Sequence, residues 1–164
     1  MNAYIEKINE IKTKLNKDWL TVSQRKVFNQ SKEFLDSHYT LINIYGKEGT
    51  GKTFIGWVLD KEKIGKYYSA ENKIEENQKS IIIDNCDYNR QFARNLRNKL
   101  RLKKIKHALL ITRYRVEDDI PAFCLNITED DIKIFKHNLF FYMNMKVTDI
   151  NENNLWEYFK RLGE

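Results

Sequence analysis

Gly46-Lys47-Glu48-Gly49-Thr50-Gly51-Lys52-Thr53 satisfies the spacing G-x-x-x-x-G-K-[ST] at every position. Glycines at these positions let the backbone curl until successive amides point inward, and a helix opening behind them adds the positive end of its dipole. That arrangement cradles phosphate. Lys52 would reach the outer phosphates and the Thr53 hydroxyl would ligate magnesium, with Phe54 as the next residue of the candidate set. A second acid fits the same chemistry. Ile81-Ile82-Ile83-Asp84 is an apolar run ending in a carboxylate, placed to hold the cation at the end of a buried strand. Asn85 follows Asp84, where a water-activating base would be expected; an amide orients water but is no useful base at neutral pH. Asp87 supplies the missing carboxylate or caps the next helix, and the residues leave both readings open.

The elements around these residues must position them. Ile5, Ile8, Ile11 and Leu15 recur at helical spacing, and a second helix starts near Ser23 with Val27, Phe34 and Leu35. Tyr39 to Tyr45 is a β-rich run feeding the glycines, and Thr53 to Asp60 returns to a helical pattern. A short strand at Lys66 to Ser69 and a charged connection at Glu71 to Lys79 lead to the Ser80–Asp84 strand. Tyr88 to Lys106 reads as a basic helix, Ala108 to Thr112 and Phe123 to Ile127 as further strands. Asp130 to Phe141 is a helix with Ile132, Phe135, Leu139 and Phe140 on its apolar face, and Leu155 to Leu162 a closing helix. Strands alternating with helices predict an α/β fold, a parallel sheet of about five strands with helices on both faces in three αβα layers. The expected organisation is a single domain: an N-terminal helix over 1–20, a nucleotide-binding core over 21–148 and a C-terminal helix over 149–164.

Bulk properties agree with this. The chain has 164 residues, 41% hydrophobic and 13% aromatic, as in a folded domain. Its net charge of +6 permits an anionic partner without choosing one. Cys86 and Cys124 have no metal-ligand spacing and read as reduced thiols. The polar N-terminus and the lack of a long apolar run argue against a signal peptide or membrane span, so the expected location is the cytoplasm. His38, His107 and His137 are scattered and read as structural, as do Trp57 and the cluster Leu155, Trp156, Tyr158 and Phe159, whose aromatic helix also offers a docking surface.

The order G-K-E-G-T-G-K-T, S-I-I-I-D-N-C-D, A-L-L-I-T-R resembles the AAA+ and STAND branches of the P-loop ATPases, over roughly Gln24 to Phe141. The STAND group (NB-ARC and related signalling ATPases) is the closer look-alike, because Thr112-Arg113 matches the ending of its sensor strand. The resemblance implies Mg-ATP as the ligand and a separate strand between the two motif strands. It also implies a γ-phosphate-sensing role for Thr112 or Arg113, an ATPase activity, and a partner protein or homo-oligomer. Arg113 and Arg115 would act in cis or project to a neighbouring subunit's nucleotide. A guanine-reading N-K-x-D is absent from the expected place, so adenine is the expected base. Binding is expected to be secure and hydrolysis slow, because of Asn85.

Arg90, Arg94, Arg97 and Arg101 form one stripe on the basic helix. It is either a solvated outer face or a docking face for nucleic-acid phosphates or an acidic protein. A nucleic-acid-associated ATPase, such as a loader or transposition helper, and a small nucleotide or metabolite kinase are therefore the alternative functions.

Overall fold

The computed structural model describes residues 3–75, 77–147 and 154–160. Helix α1 (Ala3–Lys14) leads through a 3-10 turn at Lys17–Trp19 into α2 (Val22–Leu35). Strand β1 (Leu41–Tyr45), helix α3 (Lys52–Lys61) and strand β2 (Lys66–Tyr68) follow, then β3 (Ser80–Ile83) and α4 (Arg90–Leu102). The chain continues as β4 (His107–Thr112), β5 (Ala122–Cys124), α5 (Glu129–Met143) and α6 (Leu155–Lys160). All strand pairs are parallel in one five-stranded sheet of order β2-β3-β4-β1-β5. The expected α/β architecture is therefore present, and β4 lies between the cradle strand β1 and the acid-bearing strand β3.

Alternation along the strands divides the core into two layers. Ile42 and Ile44 of β1, Ile82 of β3, and Leu109 and Ile111 of β4 face one side, packed by Leu15 and residues of α1, α2, α3 and α5. Leu41, Ile81, Ile83, Ala108 and Leu110 face the other, where Leu96 and Leu100 of α4 cover them. This is why the three inner strands read as apolar runs, broken only by Asn43 in β1: both faces are buried.

Several boundaries differ from expectation for local reasons. The basic helix starts at Arg90 because Asn89 is its cap, its Oδ1 accepting the Phe92 N–H at 2.8 Å. Asp87 is therefore not the cap, and it is left exposed. The fifth strand ends at Cys124, one residue before Leu125, whose N–H still donates to the Tyr45 carbonyl at 2.8 Å. Phe140 is not on the buried face of α5: it is 53% exposed, while Leu139 and Met143 take the core positions. The connection after β2 is not wholly solvated, because Ile74 is buried against the α4 layer. The predicted end of the closing helix, with Leu162, and the boundary at 148–149 lie outside the described residues.

Two capping boxes set where the helices begin around the site. In α2, the Thr21 N–H donates to Gln24 Oε1 at 3.1 Å, and Thr21 Oγ1 accepts from the Gln24 N–H. In α5, the Asp131 carboxylate accepts from the Thr128 N–H at 2.9 Å and from the Ser23 N–H of α2 at 2.9 Å. One fully buried carboxylate thus ties the starts of two helices together. Burial alone would raise the Asp131 carboxyl, but the hydrogen bonds from Ser23 and Thr128 outweigh it and hold it below its ordinary value.

A depressed carboxyl contributes stability above its unfolded pKa and loses it as pH falls through the folded one. Asp131→Ala is expected to cost about 2 kcal/mol at pH 7. In urea unfolding, the gap between wild type and variant should close as pH drops below about 4. A gap unchanged between pH 7 and pH 3 would show that the carboxylate contributes no charged hydrogen bonds.

Candidate functional site

The loop from Gly46 to Gly51 joins the carboxyl end of β1 to the first turn of α3. Gly46 has a φ of 155°, and a Cβ there would run into the Leu125 carbonyl oxygen, so the close backbone approach admits no side chain. Gly51, at φ 86°, caps α3 in the left-handed region. Thr50 Oγ1 donates to the Lys47 carbonyl at 3.0 Å, stiffening the turn from within. Gln24 Nε2 reaches the Thr50 carbonyl at 3.4 Å, so the residue that boxes the start of α2 also braces the loop.

Lys52 curls back over the loop, its Nζ donating to the Gly46 carbonyl at 2.6 Å and the Lys47 carbonyl at 2.7 Å. Burial lowers the Lys52 pKa, with Arg113 adding to the fall and the Asp84 carboxylate opposing it. Thr53 Oγ1 donates to Asp84 Oδ2 at 2.7 Å, joining the first turn of α3 to the residue just past β3. Asp84 is only 3% exposed. A second hydroxyl, that of Tyr67, donates to the same oxygen at 2.7 Å, and the Asn85 N–H donates to Oδ1 at 2.8 Å. Burial and the Asp84 carboxylate both push the Tyr67 phenol upward.

Asn85 has a left-handed backbone, φ 53°, and is exposed. Cys86 donates its thiol to the Ile83 carbonyl at 3.2 Å, and burial with the Asp84 charge pushes it up to about 12. Asp87 joins Asp84 and Asn85 in the wall of a cavity of about 620 Å³ that also meets Lys52, Thr53 and Thr112. At its rim Arg113 pairs with Glu48 at 2.6 Å, both exposed. Arg115 turns to Asp118 instead, 3.7 Å between charged atoms.

Thr112 ends β4, level with Tyr45 in the register. Its hydroxyl donates to the Tyr114 carbonyl at 2.6 Å and accepts from Asn43 Nδ2 at 2.9 Å. Asn43 is fully buried in the middle of β1; it also donates to the Leu110 carbonyl at 3.1 Å and accepts from the Val116 N–H at 3.3 Å.

Apolar residues also line the cavity, Ile8 and Ile11 of α1, Trp19, Phe54, Phe135 and Leu139, beside the polar Gln24 and Asn138. Helix α6 meets the site at the phosphate loop. The Leu155 N–H donates to the Gly49 carbonyl at 2.8 Å, and Leu155 and Trp156 line the cavity. The other members of the terminal aromatic cluster divide: Tyr158 is core, 1% exposed, and the Phe159 side chain lies outside the described residues.

The fold thus brings the cradle, Asp84, Asn85, Asp87, Thr112 and Arg113 to one cavity. It holds the arginine stripe apart, on the outer face of α4, where Arg90, Arg94, Arg97 and Arg101 are exposed. Sequence reading missed Tyr67, Gln24, Asn43 and the 154–156 segment. Their only sequence signals were a tyrosine in a short strand, a capping box and an amide inside an apolar run.

No protein-family model matches the chain, and no curated protein matches its sequence. Solved structures do match. A DNA replication initiation factor aligns with a TM-score of 0.57 at 18% identity, over 85% of this chain and 58% of its own. The replication initiator DnaA bound to AMPPCP and single-stranded DNA aligns with a TM-score of 0.56 at 16% identity, over 85% of this chain and 59% of its own. The chain spans less than two thirds of the length of either. The likeness is one of fold: a five-stranded parallel sheet with flanking helices.

Proposed function

We propose that this chain binds ATP with Mg²⁺ in the cavity at the carboxyl edge of the sheet. It would work in the cytoplasm as a nucleotide-dependent switch, with a protein partner or further copies of itself. The observation that carries this is the 2.7 Å bond from Thr53 to Asp84, which unites the cradle helix with the buried strand acid. The full G-x-x-x-x-G-K-[ST] spacing stands beside it. Thr53 and Asp84 offer the hard oxygens that Mg²⁺ takes, with waters and phosphate completing its shell. Such an ion neutralises charge on the phosphates.

The chain's own residues account for binding. Lys52 would exchange the Gly46 and Lys47 carbonyls for phosphate oxygens, a charge-assisted bond in place of two neutral ones. The amides of the loop and the N-terminus of α3 face the same anion. The apolar lining, including Ile8, Trp19 and Leu139, suits a base, and the missing N-K-x-D favours adenine. Arg113 would leave Glu48 for the outermost phosphate. Splitting water needs a base, which Asn85 is not; Asp87, free of capping duty, is the next carboxylate along the chain after Asp84. Hydrolysis is accordingly slow or completed by a partner. The finer placement in the STAND group rests on the sequence resemblance, chiefly Thr112-Arg113. We treat the described elements as one folding unit, with 21–148 as the nucleotide core.

A nucleic-acid-associated role is the second reading. It is favoured by the exposed Arg90, Arg94, Arg97 and Arg101, which have no ion-pair partner among the described residues. The likeness in fold to a replication initiator bound to single-stranded DNA points the same way.

Calorimetric titration of wild type with Mg-ATP should give saturable binding, and Lys52→Ala should weaken it by about tenfold or more at unchanged melting temperature. Equal affinity in the two proteins would overturn the nucleotide reading. Asn85→Glu should raise phosphate release above the wild-type rate, and no increase would remove Asn85 as the reason for slow turnover. For the second reading, Arg94→Glu/Arg101→Glu should abolish single-stranded DNA binding, and the wild-type affinity should fall steeply with salt. Salt-independent retention would remove its support.

A further inference from the structure

We propose that Tyr67 is a positioning residue for the cation edge of this site, holding the Asp84 carboxylate turned toward Thr53. The inference rests on the nucleotide reading above and goes beyond it in giving a role to a residue outside the recognisable motifs.

Strand β2 is only Lys66–Tyr68, at the sheet's edge, and pairs in parallel with β3 so that Tyr67 stands opposite Ile82. Ile82 and Asp84 are two residues apart and therefore share a face, which is also the face of Tyr67. The phenol reaches Asp84 Oδ2 at 2.7 Å, the same oxygen that receives the Thr53 hydroxyl at 2.7 Å. Oδ1 is held by the Asn85 N–H at 2.8 Å. A carboxylate oxygen has two lone-pair directions, and here both are used. The two bonds serve different duties. The Thr53 hydroxyl has one proton for Oδ2 and lone pairs that would be left for a cation. The Tyr67 bond would fix the carboxylate's rotation while Thr53 takes that second partner.

The phenol is suited to that task because its ring is packed on two sides by α3. Gly56 of α3 lies against it: a Cβ there would come within 3.1 Å of the ring atoms. Trp57 meets the ring edge-on with centroids 6.3 Å apart, and Lys12 of α1 lies over Trp57 at 4.5 Å. A chain of packed side chains therefore runs from α1 to the carboxylate. The glycine at 56 and the tyrosine at 67 fit as a pair, since a larger residue in the helix would displace the ring and with it the hydroxyl.

Tyr67→Phe keeps the ring and removes only the hydroxyl, so it separates positioning from packing. Hydrogen-bonding partners behind metal-holding groups are worth about ten- to a hundredfold in metal-dependent affinity. ATP titrations of wild type and Tyr67→Phe, each with Mg²⁺ and with EDTA, should show the variant weakened about tenfold with Mg²⁺ and less than twofold with EDTA. An equal change in both conditions, or none, overturns the proposal. A second measurement needs no nucleotide: melting temperatures of wild type, Tyr67→Phe, Asp84→Ala and the double variant. The loss from Tyr67→Phe should largely vanish in the Asp84→Ala background. Additive losses would show that the phenol does not act through Asp84. If wild type binds no ATP in either condition, the nucleotide reading fails, while the melting cycle still decides whether Tyr67 holds Asp84.

Discussion

Three parallel strands that end along one edge, β1 and β4 level and β3 two residues short of them, are the constraint on which the rest of this molecule depends. Tyr45 of β1 stands opposite Thr112 of β4, and Leu110 of β4 opposite Ile83 of β3. Because the strands are parallel, their carboxyl ends share one edge, and the residues just beyond them are the phosphate loop, Asp84 and the Thr112–Arg113 turn. A shift of two residues between β3 and β4 would move the carboxylate roughly 7 Å along the edge, out of hydrogen-bonding reach of Thr53. The chemistry is written in short loops, but its geometry is set by the ladder behind them. That ladder in turn is held by isoleucines and leucines buried on both faces.

Lys52, Asp84 and Arg113 at the edge already have internal partners. Lys52 is bonded to two loop carbonyls, Asp84 to two hydroxyls and an amide, and Arg113 to Glu48. An anion entering the cavity must therefore exchange bonds rather than simply add them, and net affinity is the difference between the two sets. The exchanges are unequal. The Arg113–Glu48 pair is exposed and worth under about 1 kcal/mol, so it yields readily. Lys52 is half-buried against neutral carbonyls and stands to gain most from an anion. Asp84 is the least free of the three, because its partners come from three different segments of the chain.

Legibility in the sequence followed the physics of each signal. The cradle was readable because its spacing is dictated by backbone geometry within one short loop. Strands β1, β3 and β4 were readable because burial on both faces leaves no polar interruption except Asn43. What failed were features decided by distant neighbours. Phe140 has a place in the helical apolar period, yet the core meets α5 through Leu139 and Met143, and the neighbouring ring is left outside. Asp87 and Asn89 are both competent caps, and only the position where the chain leaves Asp84 decides between them. Tyr67 lay wholly beyond motif reading, since its role depends on β2 pairing with β3 in one particular register. The contact of α6 with Gly49 joins residues about a hundred positions apart, which no local pattern announces.

Asn43 carries a consequence for how the chain reaches this structure. It is an amide in the middle of the sheet, and its partners beyond its own strand lie on β4 and in the turn after it. The surrounding strands are apolar on both faces, so hydrophobic burial alone distinguishes poorly between the native alignment of β1 with β4 and one displaced along the ladder. The amide does distinguish them. In a displaced alignment it would be buried away from Thr112 and Val116, at a cost of about 1–3 kcal/mol for its stranded groups. A single polar side chain thus acts as a proofreading mark for strand assembly, rejecting sheets that an oily core would accept.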